Sequence, residues 1–326
     1  MRIIITSFVL MSTFQLYSQF APPVGEEGST AISKDSSAII AWATEVITFE
    51  RGLEDITNPE GPLASFGEAE AALFEAEGTS VNVVSLGDAG RITLGFDYSI
   101  KNQEGPDFAV FENSFSDDYL EFAHVEVSSD GERFVRLPSI CNINSEEQLG
   151  TYETCDGSLV HNLAGKYRQG FGTPFDLEDI KDSIGIDIMD VGFVRIVDVV
   201  GSINPDYGSF DSEGNIINDP FKTDFESGGF DLDAVGVIHN NDPSVSIKEE
   251  VAITASFYPN PSNGVIYMKS KNVEKVVVLN LEGKEVFRAN NADVIQLPNN
   301  LNNGIYIVCF EFTTGQLKQE KLHLNR

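Results

Sequence analysis

Two aspartates, Asp231 and Asp233, flank a single leucine in the run Gly228 to Ile238. The run begins with a glycine pair and continues as an apolar strand pattern. Strict alternation places Phe230, Leu232 and Ala234 on one face and Asp231, Asp233, Val235 and Val237 on the other. Neighbouring carboxylates at the mouth of a strand repel each other unless a positive group lies between them. A hard cation bound by oxygen would serve, and calcium takes six to eight such oxygens. Further acids stand in glycine-rich or turn-like stretches: Asp107 and Glu112, then Asp211 and Asp219. These six residues make up the candidate calcium set. The competing reading is that they cap turns, since Gly105-Pro106-Asp107 is itself a turn signature. Glu112 shares a strand face with Phe108 and Val110, and a carboxylate so placed needs a partner, with Arg195 as the candidate.

Aromatic residues in the long polar segments could stack on sugar rings. Tyr119, Tyr167, Phe171 and Tyr207 are the ligand candidates, expected to be exposed, as are Phe122 and Phe175. Signals for catalysis are weak. The chain has no G-x-S-x-G elbow, no H-E-x-x-H and no phosphate-binding glycine loop. A pair of carboxylates could hydrolyse a glycosidic bond, but 51 acids make chance pairs common. Cys141 and Cys155 lie in one polar segment. In an exported chain they would form a disulfide worth about 3 kcal/mol on a chain-entropy basis. Cys309 falls in an apolar strand pattern and reads as a small hydrophobe.

The charge balance narrows the partners. The chain carries 21 basic and 51 acidic residues, a formal net charge of −30. Phosphate binding needs basic patches, so nucleic acid is excluded as a partner class. The distribution is uneven. Residues 252–326 hold 8 basic and 6 acidic residues, which leaves 13 and 45 in residues 1–251. Hydrophobic residues make up 41% of the chain, with 23 phenylalanines, enough for a packed core.

The elements that must position these residues are mostly short strands. Residues 1–19 read as an export signal, with Arg2 ahead of an apolar run too short to span a bilayer. Ile39, Trp42, Val46 and Phe49 recur at helical spacing, which predicts a helix over Ala38 to Glu50. From Val81 onward, strands are expected at Val81–Leu86, Arg91–Phe96, Phe108–Glu112, Val125–Ser128, Phe134–Leu137, Val191–Val200 and Phe230–Ile238. Glycine turns and the lack of regular intervening helices predict an antiparallel, all-β sandwich over residues 20–240. Residues 241–255 read as a linker. Residues 256–326 hold about seven more strand candidates, as in a small immunoglobulin-like sandwich.

The last segment resembles the type IX secretion system C-terminal sorting domain of Bacteroidota, of the type A kind. The matching residues are Phe257-Tyr258-Pro259-Asn260-Pro261 with Gly264, Val278 to Val286, Leu301 to Val308, and the basic end Lys318 to Lys321. The resemblance implies export through the periplasm, contact with the type IX machinery through residues 256–326, and removal of the tail at the outer surface. Ser85 to Phe96, Gly105 to Asn113, Val125 to Gly131 and Gly229 to Val235 resemble bacterial cell-surface proteins and galactose-binding-like jelly rolls. The second resemblance implies a jelly-roll-like sandwich with a structural calcium near its first and last strands. The function expected is that of a secreted or surface-attached, calcium-stabilised protein that binds carbohydrate or another extracellular ligand, such as a surface protein, and does not span the membrane. The alternatives are an adhesion or structural component, an accessory of outer-membrane nutrient uptake, and a glycoside hydrolase.

Overall fold

A computed structural model describes residues 20–243, 256–269, 273–290, 292–312 and 317–326. The expected export signal and most of the expected linker lie outside the described residues. The chain divides into two compact units on either side of Val245 and Ser246.

In the first unit the strands in chain order are β1 (Ile32–Ser33), β2 (Ala41–Trp42), β3 (Glu45–Glu50), β4 (Val84–Ser85) and β5 (Arg91–Ile100). They continue as β6 (Phe108–Glu112), β7 (Ala123–Ser128), β8 (Val135–Arg136), β9 (Ile140–Cys141) and β10 (Val160–His161). The last three are β11 (Phe171–Phe175), β12 (Val191–Asp198) and β13 (Asp231–Val237). One sheet runs β1-β11-β6-β13-β2, with β4 also on β13, and the other runs β3-β5-β12-β7-β8. Their strand pairs are antiparallel. Ile92, Leu94, Val125, Val127, Val194 and Ile196 of one sheet meet Phe108, Val110, Leu232, Val235 and Val237 of the other in the main core. The expected all-β sandwich is the observed fold.

Two local expectations change. Ala38 to Glu50 is not a helix but β2 and β3, which lie in different sheets. The β-branched Val46, Ile47 and Thr48 suit a pleated surface, and tertiary pairing outweighs the helical spacing. Strand β13 does not alternate uniformly. Leu232 pairs with Glu112 and Ala234 with Phe111, so two residues of β13 oppose one of β6 and Asp233 is the extra residue of a bulge. The bulge reverses the faces. Phe230 and Leu232 enter the main core, and so do Val235 and Val237. Ala234 instead packs outside it with Ala109 and Phe111, against Trp42.

The second unit contains β14 (Phe257–Tyr258), β15 (Val265–Met268), β16 (Val273–Leu279), β17 (Glu285–Asn290), β18 (Val294–Gln296), β19 (Gly304–Phe312) and β20 (Leu317–Leu324). They form a three-stranded sheet, β14-β15-β18, and a four-stranded sheet, β17-β16-β19-β20. Ile266, Val276, Val278, Val308, Phe310 and Leu322 close a separate core. Among the described residues no helix is long and apolar enough to cross a membrane.

Candidate functional site

The end of β6, the approach to β7 and the start of β13 converge on a cleft of about 550 Å³ in the first unit. Its polar lining includes Asn113 and Ser114 after β6, Glu121 before β7 and Asp231 at the start of β13, with Ser80, Glu226 and Ser227 beside them. Its aromatic lining is Phe66, Phe115, Tyr119, Tyr152 and Phe225. Phe115 and Tyr152 are 69% and 79% exposed, so the rim offers open ring faces.

Hydrogen bonds hold the floor. Asp231 accepts from Ser85 Oγ, and from Asn113 Nδ2 at 2.8 Å. Glu112 accepts from the Ser114 amide at 2.7 Å. The Ser114 hydroxyl donates to the Ser116 carbonyl at 2.9 Å and also contacts the Tyr119 carbonyl. Tyr119 stacks on Phe115 with ring centroids 5.4 Å apart, and its hydroxyl donates to the Thr151 carbonyl at 3.1 Å. Gly165 has φ +85°, and a Cβ there would collide with the Glu121 carbonyl. Only glycine permits this approach, so Gly165 sets the height of Glu121 in the cleft.

Electrostatics set the floor apart. Burial pushes the Asp231 carboxyl up to about 6, against the hydrogen bonds from Ser85 and Asn113. Glu112 and Glu121 are both raised well above the carboxylate range, first by burial. In Glu121 the negative neighbours Asp231, Glu112, Asp219 and Asp198 add to the shift. Among the described residues, no hydrogen bond or ion pair reaches the Glu121 side chain.

The six calcium candidates do not form one ligand set. Glu112 and Asp231 are neighbours, whereas Asp107 lies at the opposite end of β6. Asp107 accepts from the amides of Gln103 and Leu177, each at 2.9 Å, and lies 2.9 Å from His239 Nδ1. Asp211 accepts from the amides of Cys141, Glu213 and Asn215. Asp219 accepts from the Phe122 amide at 3.0 Å, and Asp233 from the amides of Glu77 and Gly78 at 3.1 and 2.9 Å. Asp211, through Glu213 and Asn215, and one bond of Asp107 brace their own turns, whereas Asp219, Asp233 and the Leu177 bond of Asp107 tie down backbone distant in sequence. Among the described residues no group of three or more His, Cys, Asp or Glu side chains could hold a metal ion. Arg195 is not the partner of Glu112. It faces Glu126 at 3.5 Å and lies 3.4 Å from the Phe134 ring centroid.

Of the four aromatic ligand candidates, Tyr119 alone lines this cleft. Tyr167 is 1% exposed, with its hydroxyl 2.9 Å from Thr30 Oγ1, and has no ring face for a ligand. Phe171 is half-buried under the Arg168 guanidinium, and Tyr207 is exposed on a loop elsewhere. Phe122 and Phe175 belong to the core. Glu121 is the functional candidate that sequence reasoning missed. Nothing local separates it from 50 other acids, because its role comes from the closure of three distant segments. Cys141 and Cys155 are buried thiols, unjoined, within one apolar cluster with Leu120 and Phe122.

Residues 256–324 match the family described as the secretion system C-terminal sorting domain. The chain is therefore secreted to the cell surface or beyond by the type IX route. A search of curated proteins found no match. Among solved structures, one similar chain is a biofilm associated protein BSP domain, at 13% identity and TM-score 0.20, covering 72% of this chain and 48% of that one. Another is a β-glucuronidase from Ruminococcus gnavus in complex with uronic deoxynojirimycin, at 9% identity and TM-score 0.20, covering 93% and 46%. The same enzyme in its apo form gives 11% identity and TM-score 0.20, covering 93% and 47%. The chain spans about half the length of each. At these TM-scores the overlap carries nothing about ligand or activity over to this chain.

Proposed function

We propose that the first unit is an extracellular binding module that takes a carbohydrate in the cleft between β6, β7 and β13. The observation that carries this reading is the composition of that one cavity: exposed ring faces at its rim over a floor of amide, hydroxyl and carboxyl groups. A sugar presents apolar C–H faces to aromatic rings and hydroxyls to such polar groups. A volume of about 550 Å³ suits a short saccharide.

A glycan array probed with the secreted chain tests the proposal. Wild-type protein is expected to retain one glycan class, and Asp231→Asn is expected to weaken retention by about tenfold, the usual worth of one buried polar contact. An array blank for wild-type protein, or a retained glycan indifferent to Asp231→Asn and to Tyr119→Ala, would refute it.

A further inference from the structure

A separate groove of about 950 Å³ also lies in the first unit. Its apolar floor is Trp42, Leu73, Phe74, Phe96 and Tyr98. Trp42 is anchored on Phe111 with centroids 5.4 Å apart, while Phe74 is 62% and Tyr98 44% exposed. The acids along it are Glu68, Glu70, Glu75, Glu77, Asp97 and Asp242, and no lysine or arginine is among its lining residues. Glu68, Glu70, Glu75, Glu77 and Asp97 are all exposed. No ion pair engages these five among the described residues.

The nearest cations, Lys34 and Arg51, act through space on Glu75 and Glu68, but their hydrogen bonds go to other groups. Lys34 donates to Asp35 at 2.8 Å, and Arg51 donates to the carbonyl oxygens of Phe66, Ser85 and Gly67. A floor of aromatic faces below a margin of carboxylates that make no close ion pair among the described residues complements a cation with an apolar stem. Cation–π contact and charge attraction then act on the same group. Among the described residues no three of these acids gather to hold one metal ion, and they come from separate positions along the chain, which fits several cations borne by a polymer. The groove also includes Ala41 and Trp42 of β2, the last strand in the order of its sheet. An extended peptide can add to such an outer strand through its backbone while its side chains enter the groove.

From this arrangement we infer that the groove binds an extended, arginine- or lysine-bearing peptide segment of a partner protein. The site is independent of the carbohydrate cleft and would stand if that reading failed.

Fluorescence polarisation on the full secreted chain, with a labelled peptide of alternating arginine and alanine, tests the inference. The triple variant Glu70→Gln, Glu75→Gln, Glu77→Gln is expected to weaken binding by about tenfold or more. Phe74→Ala, which removes an exposed ring and leaves the core intact, is expected to weaken it several-fold, in line with the usual worth of a cation–π contact. The charge-matched control Glu60→Gln, Glu132→Gln, Glu146→Gln alters exposed acids outside the groove and is expected to change affinity by less than about twofold. Equal losses in the two triple variants would overturn the inference in favour of general attraction to a negative protein. Indifference to Phe74→Ala, or displacement of the peptide by spermine at matched charge, would overturn it as well.

Discussion

Asp231 and Asp88 have carboxyls pushed up to about 6 by burial, while burial holds the His124 imidazole down at about 3. The two kinds of group act oppositely on stability. An acid raised in the folded state binds its proton more tightly folded than unfolded, so its contribution falls as pH rises from about 4 through 6. A depressed histidine takes up its proton on unfolding, so its contribution rises with pH between about 3 and 6.5. Glu112, Glu121, Asp198 and Asp219 are raised further and join the first group. The raised acids outnumber the two depressed histidines, His124 and His161, so the melting temperature is expected to be higher at pH 5 than at pH 7.5. Asp231→Asn should reduce that difference, and thermal scans across the range check both statements. Among the described residues, neither ring nitrogen of His124 has a hydrogen-bond partner, although the residue is buried. His124→Leu is accordingly expected to raise stability at pH 5, by about 1–3 kcal/mol for removing an unsatisfied polar group. A drop in denaturant midpoint would speak against that. Cys141 and Cys155 share one apolar cluster. Mass spectrometry of exported protein is expected to find them joined, and the Cys141→Ser, Cys155→Ser variant to lose about 3 kcal/mol. Free thiols in the exported protein would refute this.

At the scale of elements, the glycine that seats the approach to β7 is the sharpest test of how the cleft is built. Gly165→Ala sets a Cβ against the Glu121 carbonyl at a left-handed backbone position and also crowds Phe230. Its cost should exceed about 2 kcal/mol, beyond an ordinary surface change, and chemical denaturation measures it. Much of this frame was legible in the residues. Apolar runs bounded by turn glycines located β5 to β8, β12 and β13 to within a few residues, and the strands of the second unit as well. Two things were hidden for physical reasons. Trp42, Val46 and Phe49 fit a helical period by coincidence while serving two different sheets. The bulge at Asp233 exchanged the faces of β13, and no local pattern marks where a ladder skips a residue. The cleft itself was half visible. Asp231, Asn113 and Tyr119 stood in stretches already singled out, whereas Glu121, Tyr152 and Phe225 come from loops whose meeting only the tertiary fold decides.

The whole molecule divides its labour as its charge does. Residues 1–251 hold 45 of the 51 acids, and both cavities discussed lie within the first unit. The second unit has its own core and carries the sorting match. A chain lacking residues 256–326 is expected to stay inside the cell, with the melting temperature of the first unit unchanged, since each core is self-contained. Cell fractionation and thermal scans of the truncated chain test the two halves of that statement separately. The central claim is that the cleft at the ends of β6, β7 and β13 receives the ligand. Isothermal titration of the best array glycan into wild-type protein, Tyr152→Ala and Trp42→Ala tests it most directly. The account predicts affinity about tenfold weaker in Tyr152→Ala, from loss of an exposed stacking face, and unchanged in Trp42→Ala. Full affinity in Tyr152→Ala together with loss in Trp42→Ala would contradict it and move the sugar to the groove.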